Sequence, residues 1–257
     1  MLSDVSSRGS DAEHEATTRS TGTSPEPEYP EVRGRRRRTR REPLTRRVVM
    51  TAALRLVDAE GLEALTRRRL GEELGRDAMA LYRHAPDREA LLDGIVELVL
   101  EELDAEADEQ DWQSQLRRGA RSFRRLALAH PNVVPVLVTR PLLMPLGRRP
   151  AGTLRPLETL LRLLTASGFD PSTALHCYRL YVGFLYGHVI NELQATAVEP
   201  DETDDLLRLG LHRLPAREFP LLRSVAGELA GYDGEAELEM GLDVLLSGFE
   251  QRLRGGG

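Results

Sequence analysis

From Leu44 onward, large apolar residues recur at intervals of three and four almost to the end of this 257-residue chain. That spacing lines one face of an α-helix, whereas a half-buried strand requires strict alternation of apolar and polar residues. The pattern therefore predicts an all-α fold with a proline-rich connection over residues 131–156. Predicted helices lie near residues 45–60, 66–74, 77–84, 86–99, 112–129, 154–165, 171–197 and 235–253.

The composition narrows the class of protein. The single cysteine, Cys177, excludes an internal disulfide and a zinc site made of four cysteines from one chain. No window approaches the roughly 18 consecutive apolar residues of a membrane-spanning helix, and the N-terminus lacks the apolar segment of a secretory signal. We therefore expect a cytoplasmic protein that uses neither a metal nor a cofactor.

Charge is distributed unevenly along the chain. The formal net charge of the whole chain is −6. Residues 33–86 nevertheless carry a net charge of +8. The net charge is −5 over residues 1–32 and −9 over residues 87–257. Exposed charges are screened beyond about 8 Å at physiological salt, so a partner of the middle segment experiences mainly its positive charge. This asymmetry favours a polyanionic partner such as DNA.

The first 42 residues are rich in Ser, Thr, Glu, Gly and Pro and contain few large apolar residues. Such a composition buries too little apolar surface to offset the entropy of ordering, so we expect a disordered tail over residues 1–42. Its end, residues 33–41, holds seven arginines in nine residues. This arm suits phosphate or minor-groove contacts, and a solvated charge run without fixed contacts is the alternative.

One part of the positively charged segment has the spacing of a helix-turn-helix. Gly71 removes a side chain where two helices meet closely, and Gly75, four residues later, permits the positive φ of a tight turn. A glycine inside a helix costs about 1 kcal/mol relative to alanine, so Gly71 requires a packing reason. With Leu70, Leu74 and Leu81 as a shared core, the segment is either a DNA-binding module or an ordinary helical hairpin.

The same region resembles the tetracycline-repressor (TetR) family of bacterial transcriptional regulators. The motifs that carry this resemblance are Leu44-Thr45-Arg46, residues 60–66, Leu74-Gly75, Leu81-Tyr82-Arg83-His84 and residues 88–92. Weaker landmarks follow at Asp111-Trp112, Ser122-Phe123-Arg124, Thr139-Arg140-Pro141 and Gly168-Phe169. The resemblance implies an all-helical homodimer, with a helix-turn-helix DNA-binding domain over residues 43–88 and a helical ligand-binding and dimerisation domain over residues 89–254.

The resemblance also implies roles for individual residues. Arg68 matches a family position whose guanidinium donates two hydrogen bonds to guanine. Such a pairing contributes roughly 1–3 kcal/mol of discrimination against other bases. Tyr82 and His84 match phosphate-contacting positions, although core packing is the alternative for Tyr82. The apolar members of the set reach only thymine methyl groups, so Arg68 and Arg83 are the expected readers of base edges. The full predicted DNA-binding set is Arg67, Arg68, Ala78, Met79, Ala80, Tyr82, Arg83, His84 and Arg88.

Aromatic residues concentrate in the long helix predicted over residues 171–197. Tyr178, Tyr181, Phe184 and Tyr186 fall within nine residues and cover both sides of that helix. One side can be core or dimer seam while the other lines a cavity, since apolar walls with a few polar tips suit a drug-sized ligand. Plain core packing is the alternative for each aromatic residue. The candidate ligand-binding residues are Phe123, Met144, Tyr178, Tyr181 and His188.

Two features predict where a second copy of the chain binds. Gly183 and Gly187, four residues apart on the same helix, allow another helix to approach closely. The last predicted helix carries an apolar stripe, and the two helices are natural partners in a two-chain four-helix bundle. The residues of that stripe are Leu238, Leu242, Leu245, Leu246 and Phe249.

One departure from the family bears on the effector. In the family's tetracycline sensors, a histidine just before the Thr-Arg-Pro landmark binds drug-chelated magnesium. This chain has Pro135-Val136-Leu137-Val138 there, and no nearby histidine replaces it. The resemblance therefore favours a metal-free, aromatic or apolar effector of a polyketide-like kind over a tetracycline–magnesium complex.

Several functional classes can be compared at this point. We expect a sequence-specific transcriptional regulator, a homodimeric repressor that a small molecule releases from a palindromic operator; an activator of the same architecture is an alternative. A non-specific DNA-binding protein without effector leaves the acidic C-terminal part unexplained. An enzyme is disfavoured, because G-x-S-x-G, phosphate-loop, H-E-x-x-H and G-x-G-x-x-G motifs are lacking. His176 and Cys177 are adjacent, and helical neighbours point about 100° apart.

Overall fold

A computed structural model describes residues 43–103, 111–143, 145–197 and 210–255. The predicted tail with its arginine arm and the candidate Met144 lie outside these ranges. Within them the regular structure is helical and contains no strand, which confirms the predicted all-α fold. The α-helices are α1 (Arg46–Glu60), α2 (Arg67–Leu74), α3 (Arg88–Glu101), α4 (Trp112–Ala129), α5 (Val134–Leu143), α6 (Ala151–Ala166), α7 (Pro171–Ala197), α8 (Pro220–Ser224), α9 (Ala226–Ala230) and α10 (Gly234–Gly255).

The first helices begin and end where the sequence predicts. The Thr45 side chain accepts a hydrogen bond from the Val48 amide, and the Thr66 side chain accepts one from the Arg69 amide, each at 3.2 Å. These bonds satisfy amides that have no partner inside α1 and α2. Gly61 ends α1 with φ of 81°. The predicted boundaries of both helices are therefore confirmed.

Two expectations about the middle of the chain need correction. The proline-rich stretch is not a simple connection, because it contains α5 and the start of α6. Pro135 lies in the first turn of α5, where its missing N–H leaves no intrahelical bond unmade. The third predicted helix is also shorter than expected: it is a 3-10 helix over Ala78–Leu81, with Asp77 as its N-cap.

The helix α3 connects the two halves of the molecule. It packs against α1 in the helix-turn-helix domain and against α5 and α6 in the larger domain. In that larger domain α7 packs on α4, α6 and α10. Within the part of the chain that the structure describes, no helix combines the length and apolar character that crossing a bilayer requires.

Candidate DNA interface and ligand cavity

The helix-turn-helix depends on a close approach of two backbone segments at Gly71. A Cβ atom at Gly71 would lie 2.9 Å from the carbonyl oxygen of Arg76 and 3.4 Å from the amide nitrogen of Ala78. Gly75 ends α2 in the left-handed conformation, with φ of 58°. Leu70 and Leu81 are buried beneath the turn. The predicted reasons for both glycines are confirmed.

The 3-10 helix after this turn carries the apolar members of the predicted DNA-binding set and leads into Arg83. The Asp77 carboxylate accepts a hydrogen bond of 2.8 Å from the Met79 amide. The Leu81 carbonyl accepts from the amides of His84 and Ala85. With Leu81 anchored in the core, the Met79 side chain is 70% exposed, and Arg83 is also exposed.

Arg68 is the most accessible of three arginines at the start of α2. Its side chain is 84% exposed and forms an ion pair of 2.8 Å with Glu72, one helical turn later. Arg69 instead binds Glu60 at the end of α1, with Nε 3.1 Å from one carboxylate oxygen. Of these three guanidinium groups, that of Arg68 is the most accessible to solvent.

Arg67 and Tyr82 form a unit that the sequence did not reveal. The Arg67 guanidinium lies 4.2 Å over the Tyr82 ring, and Nη1 donates a hydrogen bond of 2.9 Å to the Tyr82 hydroxyl. Nη2 donates to the carbonyl of Pro86. Tyr82 is exposed rather than part of the core. Arg67 therefore fixes the orientation of Tyr82 in the free protein.

Two other predicted phosphate contacts, Arg88 and His84, differ in how they are held in the protein. Arg88 donates a hydrogen bond of 2.8 Å to the carbonyl of Leu62, which ties the start of α3 to the segment after α1. Nε2 of His84 is buried and has no hydrogen-bond partner among the described residues. Ala78 and Ala80 are half-buried beside the exposed Met79.

A cavity of about 340 Å³ lies in the larger domain. Its wall combines the C-terminal end of α3 with faces of α4, α6 and α7. Of the predicted ligand-binding residues, the structure places Phe123, Tyr178 and Tyr181 in the wall, and His188 outside it. The Tyr181 hydroxyl donates a hydrogen bond of 2.6 Å to the carbonyl of Leu116, so this group is occupied within the protein.

Sequence reasoning missed the contribution of α6 to this wall. Its lining residues recur at helical intervals, which is a signal that the sequence does contain. That spacing predicts the helix over residues 154–165, but it does not show that this helix lines a cavity. The residues that α6 contributes are Gly152, Thr153, Arg155, Pro156, Leu157, Thr159, Leu160 and Leu163.

Burial changes the pKa of two phenols in the cavity wall. It raises the pKa of Tyr186 to about 12 and also raises the pKa of Tyr178. The Tyr186 ring packs against Phe123, with 5.7 Å between ring centroids. A tyrosine phenol is protonated at neutral pH even without burial, so both hydroxyls in the cavity wall can donate or accept a hydrogen bond.

His188 belongs to a buried polar cluster between α4, α7 and α10. Its Nε2 lies 3.4 Å from a carboxylate oxygen of Glu192, and Arg124 forks onto the same carboxylate at 2.6 to 3.1 Å. Burial lowers the pKa of His188. A buried carboxylate needs such partners, so this cluster fixes three helices together.

Polar contacts also join the two domains. Arg140 is buried and donates from Nε to the Asp93 carboxylate at 2.8 Å, and it also binds Glu89. Asn132 donates to the carbonyl of Val57 at 3.0 Å, and His130 lies 2.9 Å from the Asp58 carboxylate. The loop before α5 and the α5 helix thereby hold the ends of α1 and α3.

The only adjacent His–Cys pair in the sequence has no catalytic geometry. Cys177 is buried, and burial raises the pKa of its thiol, whereas His176 is exposed on α7. A buried thiol with a raised pKa is a poor nucleophile.

A helix-turn-helix domain joined by one helix to a larger helical domain with a cavity defines a DNA-binding transcriptional regulator. Two family models match the chain: "Bacterial regulatory proteins, tetR family" over residues 49–95, and "Tetracyclin repressor-like, C-terminal domain" over residues 105–253. The chain therefore belongs to the TetR family.

Relatives and solved structures agree with this assignment. The chain is 34% identical to the class D tetracycline repressor of Escherichia coli over 220 residues, which cover 82% of this chain and 91% of that protein. It is 30% identical to Streptomyces coelicolor ActR in complex with actinorhodin (TM-score 0.70), covering 82% of this chain and 99% of that one. A TetR variant of Acinetobacter baumannii AYE in complex with minocycline is 27% identical to this chain, with a TM-score of 0.59. The match covers 82% of this chain and 99% of that one.

Proposed function

We propose that this protein is a homodimeric, sequence-specific repressor that acts in the cytoplasm and is released from a palindromic operator by a small molecule. The observation that carries the proposal is the position of α3. Its first residue, Arg88, is bonded to the helix-turn-helix domain, and Leu100 and Glu101 at its other end line the cavity. One helix of 14 residues, about 20 Å long, thus contacts both the helix-turn-helix domain and the cavity.

This arrangement supports a two-state mechanism. An effector in the cavity contacts the C-terminal end of α3, and a shift of that helix moves the attached helix-turn-helix domain. In a dimer, two reading elements bind successive major grooves only when they are about 34–36 Å apart. A ligand that binds the state with a different spacing more tightly lowers the affinity for DNA.

The apolar stripe that was predicted for the dimer interface is instead buried in the core of the protomer, as Leu238, Leu242, Leu246 and Phe249 show. The proposed dimer interface is therefore the exposed apolar face of α7 and α10. Leu180 is 57% exposed, Met240 62% and Val244 74%. A Cβ atom added to Gly183 or Gly187 would meet no atom within 4 Å, so this side of α7 is open to another helix. Large apolar side chains on an open helical face support burial against a second copy.

The names of the relatives bear on whether the protein represses or activates transcription, and on the kind of effector it binds. The class D relative is a repressor, and ActR and the Acinetobacter protein have been solved with actinorhodin and minocycline. These names favour repression by a protein that binds a small molecule. At the position of the missing histidine, Val136 and Leu137 are buried apolar residues outside the cavity wall and offer no metal ligand, which disfavours a magnesium-dependent effector.

Fluorescence anisotropy tests the DNA-binding half of the proposal. The purified protein is titrated onto labelled DNA from upstream of its own gene, at about 0.15 M salt and with excess random-sequence competitor, because salt and competitor suppress phosphate-only binding. We expect tight binding that survives the competitor. Binding that the competitor abolishes on this DNA and on DNA from a random-sequence selection would exclude a sequence-specific repressor.

A further inference from the structure

The cavity described above restricts the chemistry of its ligand, and this inference rests on the proposed role of the cavity as the effector site. Most of the wall is aliphatic or aromatic, including Leu100, Leu160, Leu163 and Phe123. Its volume of about 340 Å³ lies at the lower end of the range for ligand pockets. A compact ligand with fused or linked rings matches this size and surface.

Two phenol groups in the wall require oxygen acceptors on the ligand. The hydroxyls of Tyr178 and Tyr186 have no hydrogen-bond partner among the residues that the structure describes. Both tyrosines line the cavity and are protonated at neutral pH, so each can offer a hydrogen-bond donor to a ligand there. A ligand that leaves these donors unpaired loses binding energy, because a desolvated polar group without a partner is costly.

The charge of the wall comes from arginines. Arg155 lines the cavity from α6 and forms no ion pair with any described residue. Arg118 lines it from α4 and already has an interaction within the protein. The acidic lining residue, Glu101, is paired with Arg47 at 3.2 Å. Among the described lining groups, Arg155, an exposed residue of α6, is therefore the charged side chain without an ion-pair partner.

We propose that the effector is an aromatic compound carrying an acidic oxygen group, such as a carboxylate, and that Arg155 binds this group. The guanidinium has the fork geometry that suits an oxyanion. Tyr178 and Tyr186 supply further donors to oxygens on the same ligand. The aliphatic wall contacts its rings. This assigns a specificity role to Arg155 that the sequence pattern did not suggest.

A matched pair of fluorescent probes tests the charge preference without DNA. The anionic probe is 8-anilino-1-naphthalenesulfonate, and its uncharged counterpart is N-phenyl-1-naphthylamine, which has the same rings without the sulfonate. We expect the full-length protein to bind the anionic probe at least about tenfold more tightly, the effect of one charge-assisted hydrogen bond. Leu160→Trp, which fills the cavity, is expected to abolish binding of both probes.

Two arginine variants test whether Arg155 causes the preference for the anionic probe. Arg155→Met is expected to weaken binding of the anionic probe roughly tenfold and to leave the neutral probe unchanged. Arg162→Met is the control, because Arg162 lies on the same helix, is exposed and pairs with Glu158 outside the cavity wall. Circular dichroism confirms that each variant is folded.

Several results would overturn the inference. Equal affinity for the two probes, or tighter binding of the neutral probe, would do so. So would binding of the anionic probe that Leu160→Trp does not reduce, or an Arg155→Met variant that binds the anionic probe as tightly as the wild type does. The proposed repressor function fails differently, through loss of sequence-specific DNA binding in the anisotropy assay. The two failures are therefore separable.

Discussion

Three consecutive arginines begin α2, and each has a different partner. Arg67 supports Tyr82, Arg68 points outward beside Glu72, and Arg69 binds Glu60. Successive residues on a helix are rotated by about 100°, so identical side chains face three directions. Only the surface that each one faces determines whether it contacts DNA or stabilises the domain.

Replacing Arg68 by alanine is expected to remove a base contact. The preferred site should lose roughly 1–3 kcal/mol of binding free energy, whereas random DNA should be bound nearly as before. Arg162→Ala is a matched control, because Arg162 is an equally exposed arginine in an i,i+4 pair with glutamate, on α6. Competition anisotropy on both DNAs measures the difference. Equal losses on both would remove Arg68 from the base-reading role.

Arg67 and Tyr82 are expected to act together on the DNA backbone. Arg67→Met frees the Tyr82 ring, and Tyr82→Phe removes the hydroxyl that Arg67 orients, so each variant should weaken binding to any DNA sequence. The double variant should be little worse than either single variant, with a coupling energy of about 0.5–3 kcal/mol. A double-mutant cycle on random DNA measures this coupling. Strictly additive losses would show that the two side chains act separately.

At the scale of elements, the helix-turn-helix was predictable because backbone geometry dictates its residues. Gly71 and Gly75 are needed for a close approach and a left-handed turn, and few other residues meet those requirements. The prolines of α5 and α6 were misleading, because Pro135 occupies a first turn and Pro156 is accommodated inside α6, which packs against α3 and α7. Tertiary packing of that kind is not visible in local sequence.

The site was predictable to a similar extent. Sequence placed the aromatic residues of α7 near a cavity, since their spacing is local. It did not separate Tyr178, which lines the cavity, from His188, which contacts Glu192 instead. That distinction depends on α4 and α10, which are distant in sequence.

Gly71→Ala is expected to destabilise the helix-turn-helix domain. The added methyl group meets backbone atoms of Arg76 and Ala78 that have no room to move, and overpacking of this kind costs about 1–3 kcal/mol. Gly227→Ala on α9 is the control, since a Cβ atom there meets no atom within 4 Å. Denaturant unfolding measures both variants. A Gly71→Ala protein as stable as the control would contradict the close packing.

At the scale of the whole molecule, two sites and one connecting helix make a regulator only if two copies pair. The open apolar face on α7 and α10 is where this pairing is expected. Dimerisation also sets the distance between the two reading elements, so it determines which DNA spacing is bound. In the proposed mechanism, the larger domain therefore acts on DNA by setting this distance, without touching a base.

Val244→Glu tests this face directly. Val244 is exposed in the protomer, so the variant should keep its helical content but dissociate to monomers, because the charge would be buried in the interface. Binding to a two-half-site operator should fall sharply. Leu146→Glu replaces another exposed apolar residue, away from α7 and α10, and should remain dimeric. Sedimentation velocity distinguishes the outcomes, and a dimeric Val244→Glu protein would place the interface elsewhere.

Selection of binding sites from a random-sequence DNA library tests the central claim most directly. The account predicts enrichment of an inverted repeat whose half-site centres lie about one helical turn apart, because a twofold-symmetric dimer presents two equivalent reading elements. It also predicts that the enriched site binds the protein in the presence of excess unselected DNA. Enrichment of no motif, or of a motif without twofold symmetry, would contradict a homodimeric sequence-specific regulator.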